Sequence, residues 1–164
     1  MSRIMILGAN ILQVPLITQA NEDGFKTIVV SPNTEEVGHK LATYSVQADV
    51  RNEQEIYKYA RDFNIAGIIT DQTDIAVRSV AYVAEKMNLP GIGYDVACLF
   101  TDKYKMREKC KELNIRTLKY KKVQNITDAL EFFDELGEKV ILKPVDNQGS
   151  KGVALIDSPE KMRR

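Results

Sequence analysis

The chain has 164 residues, and its 23 lysine and arginine side chains are balanced by 23 aspartate and glutamate side chains. A chain of this length buries roughly two thirds of the surface that it exposes when unfolded, enough for one core, or for one core and a smaller appendage. The balanced charge lacks the broad basic field on which nucleic-acid binding depends, so we expect no nucleic-acid partner.

Strand-like apolar runs and helical patterns alternate through the first part of the chain. The apolar run at residues 4–7 is too short for a signal peptide or a membrane span, and it predicts a buried first strand. Further strands are predicted at residues 27–30, 44–47 and 66–70, and helices at residues 12–21, 52–63 and 74–87. This alternation predicts a Rossmann-like α/β domain with a parallel sheet covered on both faces, because parallel strands need long crossover connections.

The pattern changes after a short predicted strand at residues 89–93, which proline and glycine residues bound. We therefore predict two domains, at residues 1–97 and 98–164. In the second domain Thr101 is a candidate N-cap for a helix that ends near residue 113, with Asp102 in its first turn.

The remainder of the second domain predicts an α+β arrangement. Residues 117–123 alternate apolar and basic side chains, which is typical of a half-exposed strand. A helix is predicted at residues 127–136, strands around residues 139–144 and 153–156, and the start of another helix at Ser158. Since one helix and one tight loop separate the strands, the sheet is expected to be antiparallel. We expect this domain to be incomplete and to lack at least one element.

The turn after the first strand carries Gly8, Asn10 and Gln13 at the three glycine positions of a dinucleotide-binding GxGxxG turn. Only the first position is glycine, and Asn10 would obstruct the approach of a pyrophosphate. The acidic residue expected after the second strand is also absent, since residues 31–33 read Ser-Pro-Asn. The sequence therefore disfavours NAD or FAD binding and favours a tight structural turn.

Asp71 and Asp74 follow the strand at residues 66–70, at the edge where open α/β sheets hold ligands. Either carboxylate could touch a substrate or a metal. We favour the alternative, in which Thr73 or Asp74 caps the following helix.

The single histidine and the two cysteines carry little functional signal. His39 is predicted to lie solvated in a loop. Cys98 and Cys110 are too few for a disulfide framework or a metal knuckle, and they predict reduced thiols in a cytoplasmic protein.

The most informative segment, residues 141–153, ends an apolar strand with Lys143 and continues into a glycine-rich loop. Gly149 and Gly152 lack a Cβ, so the backbone can take positive φ and present consecutive N–H groups to an anion. Lys143 and Lys151, together with Lys103, supply positive charge. Because a lysine stem at the end of a buried strand needs a partner anion, we favour phosphate binding over an ordinary surface hairpin.

The whole chain resembles the N-terminal part of an ATP-grasp ligase, the superfamily of biotin carboxylase, the carbamoyl phosphate synthase large chain and D-alanine ligase. Residues 8–33 and 69–92 are similar to the pre-ATP-grasp domain of carboxylate-amine ligases. Residues 101–115 resemble the helix that opens the small ATP-binding subdomain, and residues 141–153 resemble its strand and flexible lid.

This resemblance implies a set of ATP-binding residues. Lys103 matches the basic residue that reaches ATP phosphate, and Lys143 matches the strand residue beside the α-phosphate and adenine. Carbamoyl phosphate synthase has Arg at both positions, and the compact charge of Lys is adequate for phosphate. The lid is matched by Gln148, Gly149, Ser150, Lys151 and Gly152.

The resemblance also implies that the parent enzyme uses ATP and Mg²⁺ to phosphorylate a carboxylate, after which an amine or similar nucleophile displaces phosphate. Phosphoryl transfer depends on positioning and charge neutralisation, which basic side chains, lid N–H groups and Mg²⁺ supply. Closure of the lid would exclude water, which would otherwise hydrolyse an acyl phosphate.

In the family, the Mg²⁺ ligands, the hinge that grips adenine and most of the acceptor site lie downstream of the matched residues. We therefore expect an N-terminal fragment of a longer enzyme, inactive alone and at most a weak ATP binder. The alternatives are a non-catalytic Rossmann-like module that binds a ligand or a partner subunit, and a split enzyme. We expect no membrane partner, whereas exposed apolar surface favours a possible homodimer.

Overall fold

The computed structural model describes residues 1–147, 149 and 151–163, and the chain divides into two compact units, Met1–Thr101 and Asp102–Arg164. The division falls slightly later than the sequence pattern predicts, because a helix that begins at Tyr94 continues to Thr101 within the first unit. Among the described residues no helix is long and apolar enough to cross a membrane.

A parallel sheet forms the centre of the first unit, all of whose residues are described. Its strands are β1 (Arg3–Leu7), β2 (Lys26–Ser31), β3 (Tyr44–Gln47) and β4 (Gly67–Thr70). They are hydrogen-bonded in the order β3-β2-β1-β4, and Ile6 of β1 lies opposite Val29 on one side and Ile69 on the other. The predicted parallel sheet is confirmed, and the four strands lie close to their predicted positions.

Three helices connect these strands, and two more follow β4. They are α1 (Val14–Glu22), α2 (Val37–Leu41), α3 (Glu53–Asp62), α4 (Val77–Lys86) and α5 (Tyr94–Thr101). Helix α3 shows why the helices form where they do: the Asn52 side chain accepts a hydrogen bond from the Glu55 N–H, and Ile56 and Ala60, one turn apart, are buried. The prediction of a strand at residues 89–93 is wrong. These residues bend into α5, and Pro90 has no N–H to give to a sheet.

The core of the first unit lies on both faces of the sheet because successive side chains of a strand point to opposite faces. Met5 and Leu7 of β1 belong to one buried cluster, which includes Ile56 of α3 and Val83 of α4. Ile6, between them, belongs to a second cluster on the other face with Ile17 of α1. Burial on both faces explains why β1 reads as a continuous apolar run.

The second unit is smaller. Its described elements are α6 (Lys103–Glu112), α7 (Ile126–Leu136), β5 (Val140–Leu142), β6 (Ala154–Ile156) and α8 (Pro159–Met162). Strands β5 and β6 are antiparallel, as predicted, with Ile141 opposite Leu155. Both of these side chains are more than half exposed, at 56% and 52%, so one face of this sheet is uncovered within the described part of the unit.

Two predictions for the second unit are wrong. Residues 117–123 form neither helix nor strand. Tyr120 is half-buried against α6, whereas Leu118 is 76% exposed, so the alternation does not mark the buried face of a strand. Thr101 does not cap α6. Asp102 is the N-cap, and its carboxylate accepts hydrogen bonds from the N–H groups of Tyr104 and Lys105 at 2.9 and 3.0 Å.

Gly38 provides a test of packing between α2 and the turn after β1. Its N–H donates to the Ala9 carbonyl oxygen at 2.8 Å, and a Cβ on Gly38 would lie 2.7 Å from that oxygen and 2.8 Å from Ile17 Cδ1. Gly38→Ala should therefore lower the free energy of unfolding by about 1–3 kcal/mol in urea denaturation. The control is Gly67→Ala, whose Cβ would come no closer than 3.8 Å to another side chain. Equal stability of the two variants would contradict this packing.

Candidate functional site

Lys103 and the glycine-rich loop meet in the second unit. The Lys103 backbone N–H donates to the Val145 carbonyl oxygen at 2.9 Å, and the Lys103 ammonium donates to the Asn147 carbonyl oxygen, 44 residues away in sequence. Asp102 satisfies the next two N–H groups of α6. Since the first turn is occupied in this way, the Lys103 side chain rather than the helix N-terminus is the group that α6 can offer to an anion.

The loop has the backbone that the sequence predicts at its glycines. Gly149 and Gly152 have φ of 62° and 73°, in the left-handed region that other residues rarely adopt. A Cβ on Gly152 would also lie 2.9 Å from Pro144 Cγ. Gln148 and Ser150, the other predicted lid residues, lie outside the described residues.

The surroundings of Lys143 differ from the buried strand end that the sequence predicts. Strand β5 ends at Leu142, Lys143 is exposed, and Ile141 of the same strand is 56% exposed, so Lys143 does not end a buried strand. Lys151 is exposed as well. Neither ammonium has a hydrogen-bond or ion-pair partner among the described residues, which leaves both free to approach an anion.

A metal site is not found in the described part of the chain. No group of three or more histidine, cysteine, aspartate or glutamate side chains is arranged there to hold an ion. The residues present therefore do not fit the Mg²⁺ that the family resemblance implies, and they provide no step that depends on it.

Hydrogen bonds from the side chains of its own residues hold the turn after β1. Gly8 has φ of 105°, and Asn10 and Gln13 form a capping box for the short 3₁₀ turn Ile11–Gln13. Gln13 is fully buried; its Oε1 accepts from the Asn10 N–H at 3.1 Å, and its Nε2 donates to the Asp71 carbonyl oxygen. Gln13 thus ties the end of β1 to the end of β4, which agrees with a structural turn.

The carboxyl edge of the parallel sheet contains a cleft of about 240 Å³. Residues after all four strands line it, among them Gly8, Asn10, Ser31, Asp49, Arg51 and Thr73. Asp71 contributes a backbone carbonyl to the turn beside it, and Asp74 opens the 3₁₀ turn Asp74–Ala76, for which Thr73 makes no side-chain cap. The sequence indicates this edge through Asp71 and Asp74 but misses the contribution of β3.

An ion pair lies at the rim of the cleft. Arg51 donates side-chain hydrogen bonds to both carboxylate oxygens of Asp49, at 2.7 to 3.2 Å. These bonds, and one from the Arg51 backbone N–H, hold the pKa of the Asp49 carboxyl below its usual value. The Arg51 side chain is 69% exposed and that of Asp49 is 43% exposed, so solvent screens the pair and it contributes little to stability.

His39 is not a solvated loop residue, as predicted, but a buried residue of α2 with 8% exposure. Its Nδ1 lies 2.7 Å from Ser45 Oγ on β3, and its Nε2 has no partner among the described residues. Cys98 and Cys110 are free thiols, as predicted.

Ring contacts hold Tyr120 and Lys122 against α6, a feature that sequence reasoning missed. The rings of Tyr104 and Tyr120 pack edge to face with centroids 6.0 Å apart. Arg107 lies over the Tyr120 ring and Lys122 over the Tyr104 ring, at 5.6 and 5.4 Å.

Known proteins share this fold. Alanine–anticapsin ligase from Bacillus subtilis strain 168 is 32% identical over 107 residues, which are 65% of this chain and 22% of the relative. The crystal structure of phosphoribosylglycinamide synthetase from Anaerococcus prevotii matches with a TM-score of 0.71 at 30% identity, covering 98% of this chain and 40% of that one. The crystal structure of N5-carboxyaminoimidazole synthetase from Staphylococcus aureus, complexed with ADP, matches with a TM-score of 0.79 at 21% identity. This match covers 99% of this chain and 43% of that one. No protein-family profile matches the chain.

The chain has the fold of the N-terminal portion of ATP-grasp enzymes. Its relatives and structural neighbours are carboxylate-amine ligases of that superfamily, which confirms the predicted resemblance. The structural neighbours match the chain over nearly its whole length. The chain itself spans less than half the length of these proteins, between 22% and 43%.

Tyr120 gives a prediction that depends on pH. Its hydroxyl donates to Glu108 Oε1 at 2.5 Å, and this bond raises the pKa of Tyr120 to about 12 from an ordinary 10.0. Because the folded chain favours the neutral phenol, the stabilisation is present below pH 10 and is lost as the pH rises through about 12.

Glu108→Gln should return the pKa of Tyr120 towards 10.0, whereas Glu112→Gln, one turn further along the helix, should leave it raised. Titration of the tyrosine Cζ chemical shifts by NMR measures both. A Tyr120 pKa near 10 in the unsubstituted chain would contradict the predicted bond.

Proposed function

We propose that this chain supplies part of the nucleotide site of an ATP-dependent ligase. The whole enzyme would activate a carboxylate as an acyl phosphate and join it to an amine or a similar nucleophile. One observation carries the proposal: Lys103 and the glycine-rich loop, which a phosphate site requires together, are in contact although they are 44 residues apart. The ADP complex of a protein with the same fold supports it.

Each candidate residue has a role in this proposal. The Lys103 ammonium neutralises phosphate charge, and Lys143 and Lys151 approach the same anion from the loop. Gly149 and Gly152 allow the loop backbone to turn its N–H groups towards phosphate oxygens. Gln148 and Ser150 complete the proposed lid.

Magnesium belongs to the whole enzyme in this proposal. When bound, Mg²⁺ would neutralise charge on the transferring phosphoryl group. As the family resemblance implies, we propose that its ligands lie outside this chain. We therefore expect the chain alone to hydrolyse no ATP and to bind it weakly.

A second function, a binding module without catalysis, is supported by the cleft in the first unit. It lies at the carboxyl edge of the parallel sheet, where open α/β sheets bind ligands. Asn10, Ser31 and Thr73 supply polar groups along its wall.

We also propose a homodimer and a cytoplasmic location, with no nucleic-acid or membrane partner. Large apolar side chains exposed in the second unit support association; Leu118, Leu113 and Ile141 are 76%, 59% and 56% exposed. The two free thiols support a reducing compartment.

Substitution of Lys103 tests the nucleotide site. Lys103→Ala should weaken ATP binding by roughly tenfold or more, since a hydrogen bond to a charged group contributes about 1.5–3 kcal/mol. Lys105→Ala, an exposed lysine of the same helix turn, should leave affinity within about twofold. Isothermal titration calorimetry at low salt measures the dissociation constants.

Equal loss of affinity in the two variants would mean that ATP binds through general charge rather than through a site. Hydrolysis of ATP by the purified chain would contradict the proposal that the catalytic groups lie outside it.

A further inference from the structure

Lys103 makes two hydrogen bonds to one short segment of the loop. Its backbone N–H donates to the Val145 carbonyl oxygen at 2.9 Å, and its ammonium donates to the carbonyl oxygen of Asn147. The acceptors are two residues apart, so a single residue of α6 fixes residues 145–147 at two points. One of these bonds belongs to the main chain and survives any change in the side chain.

The two bonds differ in how easily they are exchanged. Val145 is partly buried, and its partner is the first N–H of a helix whose next two N–H groups are capped by Asp102. Asn147 is exposed, and its partner is the end of a flexible four-carbon stem. An incoming anion can therefore reach the ammonium without disturbing the bond to Val145.

The Asn147 carbonyl and a phosphate would compete for the same ammonium. A hydrogen bond from an ammonium to an anionic oxygen is stronger than one to a neutral carbonyl. A phosphate bound to the ammonium would also place negative oxygens beside the carbonyl oxygen, and these atoms repel one another. Phosphate binding at Lys103 thus favours departure of the carbonyl.

We propose that nucleotide phosphate displaces the Asn147 carbonyl from Lys103, so that occupation of the site releases residues 146–147 while the Val145 bond holds the base of the loop. This regulation of the loop rests on the proposed role of Lys103 as a phosphate ligand. The released segment leads into Gly149 and Gly152, whose positive φ turns the following backbone. Lys103 therefore holds residues 145–147 at two points before phosphate binds and at one point afterwards.

The test uses the full chain labelled with ¹³C and ¹⁵N, with ADP as the probe. The carbonyl ¹³C shift of Asn147 should move upfield in Lys103→Met, because its hydrogen bond is lost, and that of Val145 should not, because the backbone bond remains. ADP should move the Asn147 carbonyl of the unsubstituted chain in the same direction and should leave it unchanged in Lys103→Met. Lys105→Met is the matched control, and it should respond to ADP as the unsubstituted chain does.

Three results would overturn the proposal, and they differ in what they say of the proposed function. An Asn147 shift that is the same in Lys103→Met would show that no such bond exists. An ADP-induced change at the Lys103 ammonium without one at the Asn147 carbonyl would show that the ammonium bridges both; nucleotide binding would then stand and displacement would not. Absence of any ADP-induced change, with the Asn147 carbonyl still sensitive to Lys103→Met, would remove the phosphate role itself.

Discussion

The bond from the Lys103 N–H to the Val145 carbonyl is the contact on which the candidate site depends. It joins the start of α6 to the loop after β5, and these two segments carry all the proposed phosphate ligands. The bond forms because the first N–H of a helix has no partner within the helix and Asp102 caps the two that follow. Lys103 and the loop, which are far apart in sequence, are thus brought together because the first N–H of α6 needs an acceptor outside the helix.

The two units differ in how they use apolar residues. In the first unit both faces of the sheet are covered, and Met5, Ile6 and Leu7 have no exposed surface. In the second unit the sheet has two described strands, and Ile141 and Leu155 remain about half exposed. The first unit therefore has a closed core of its own, whereas the second has apolar surface available for further protein to cover. This contrast agrees with a chain that spans less than half of its relatives.

Much of the fold could be predicted because it follows from local pattern. The apolar run of β1 is continuous since both faces are buried, and alternating strands and helices leave few options besides a parallel sheet. Local pattern gave wrong predictions where contacts between residues distant in sequence determine the structure. Within residues 117–123 Tyr120 packs on α6 and no strand forms, and His39 is buried beside Ser45 of β3. Thr101 and Asp102 are both good caps, and only the helix geometry chooses between them. For the candidate site, the sequence predicted Lys103 and the glycines. It could not show that the Lys103 ammonium donates a hydrogen bond to the Asn147 carbonyl oxygen.

We propose that nucleotide binds to the second unit and not at the sheet edge of the first. The decisive experiment records the backbone amide shifts of the whole chain by NMR during titration with ADP. We expect saturable changes at Lys103, residues 145–147, Gly149 and Gly152, with no change at Gly8, Asn10 and Ser31. Saturable changes at Gly8, Asn10 and Ser31, with the loop unmoved, would contradict it and would assign the ligand to the cleft of the parallel sheet.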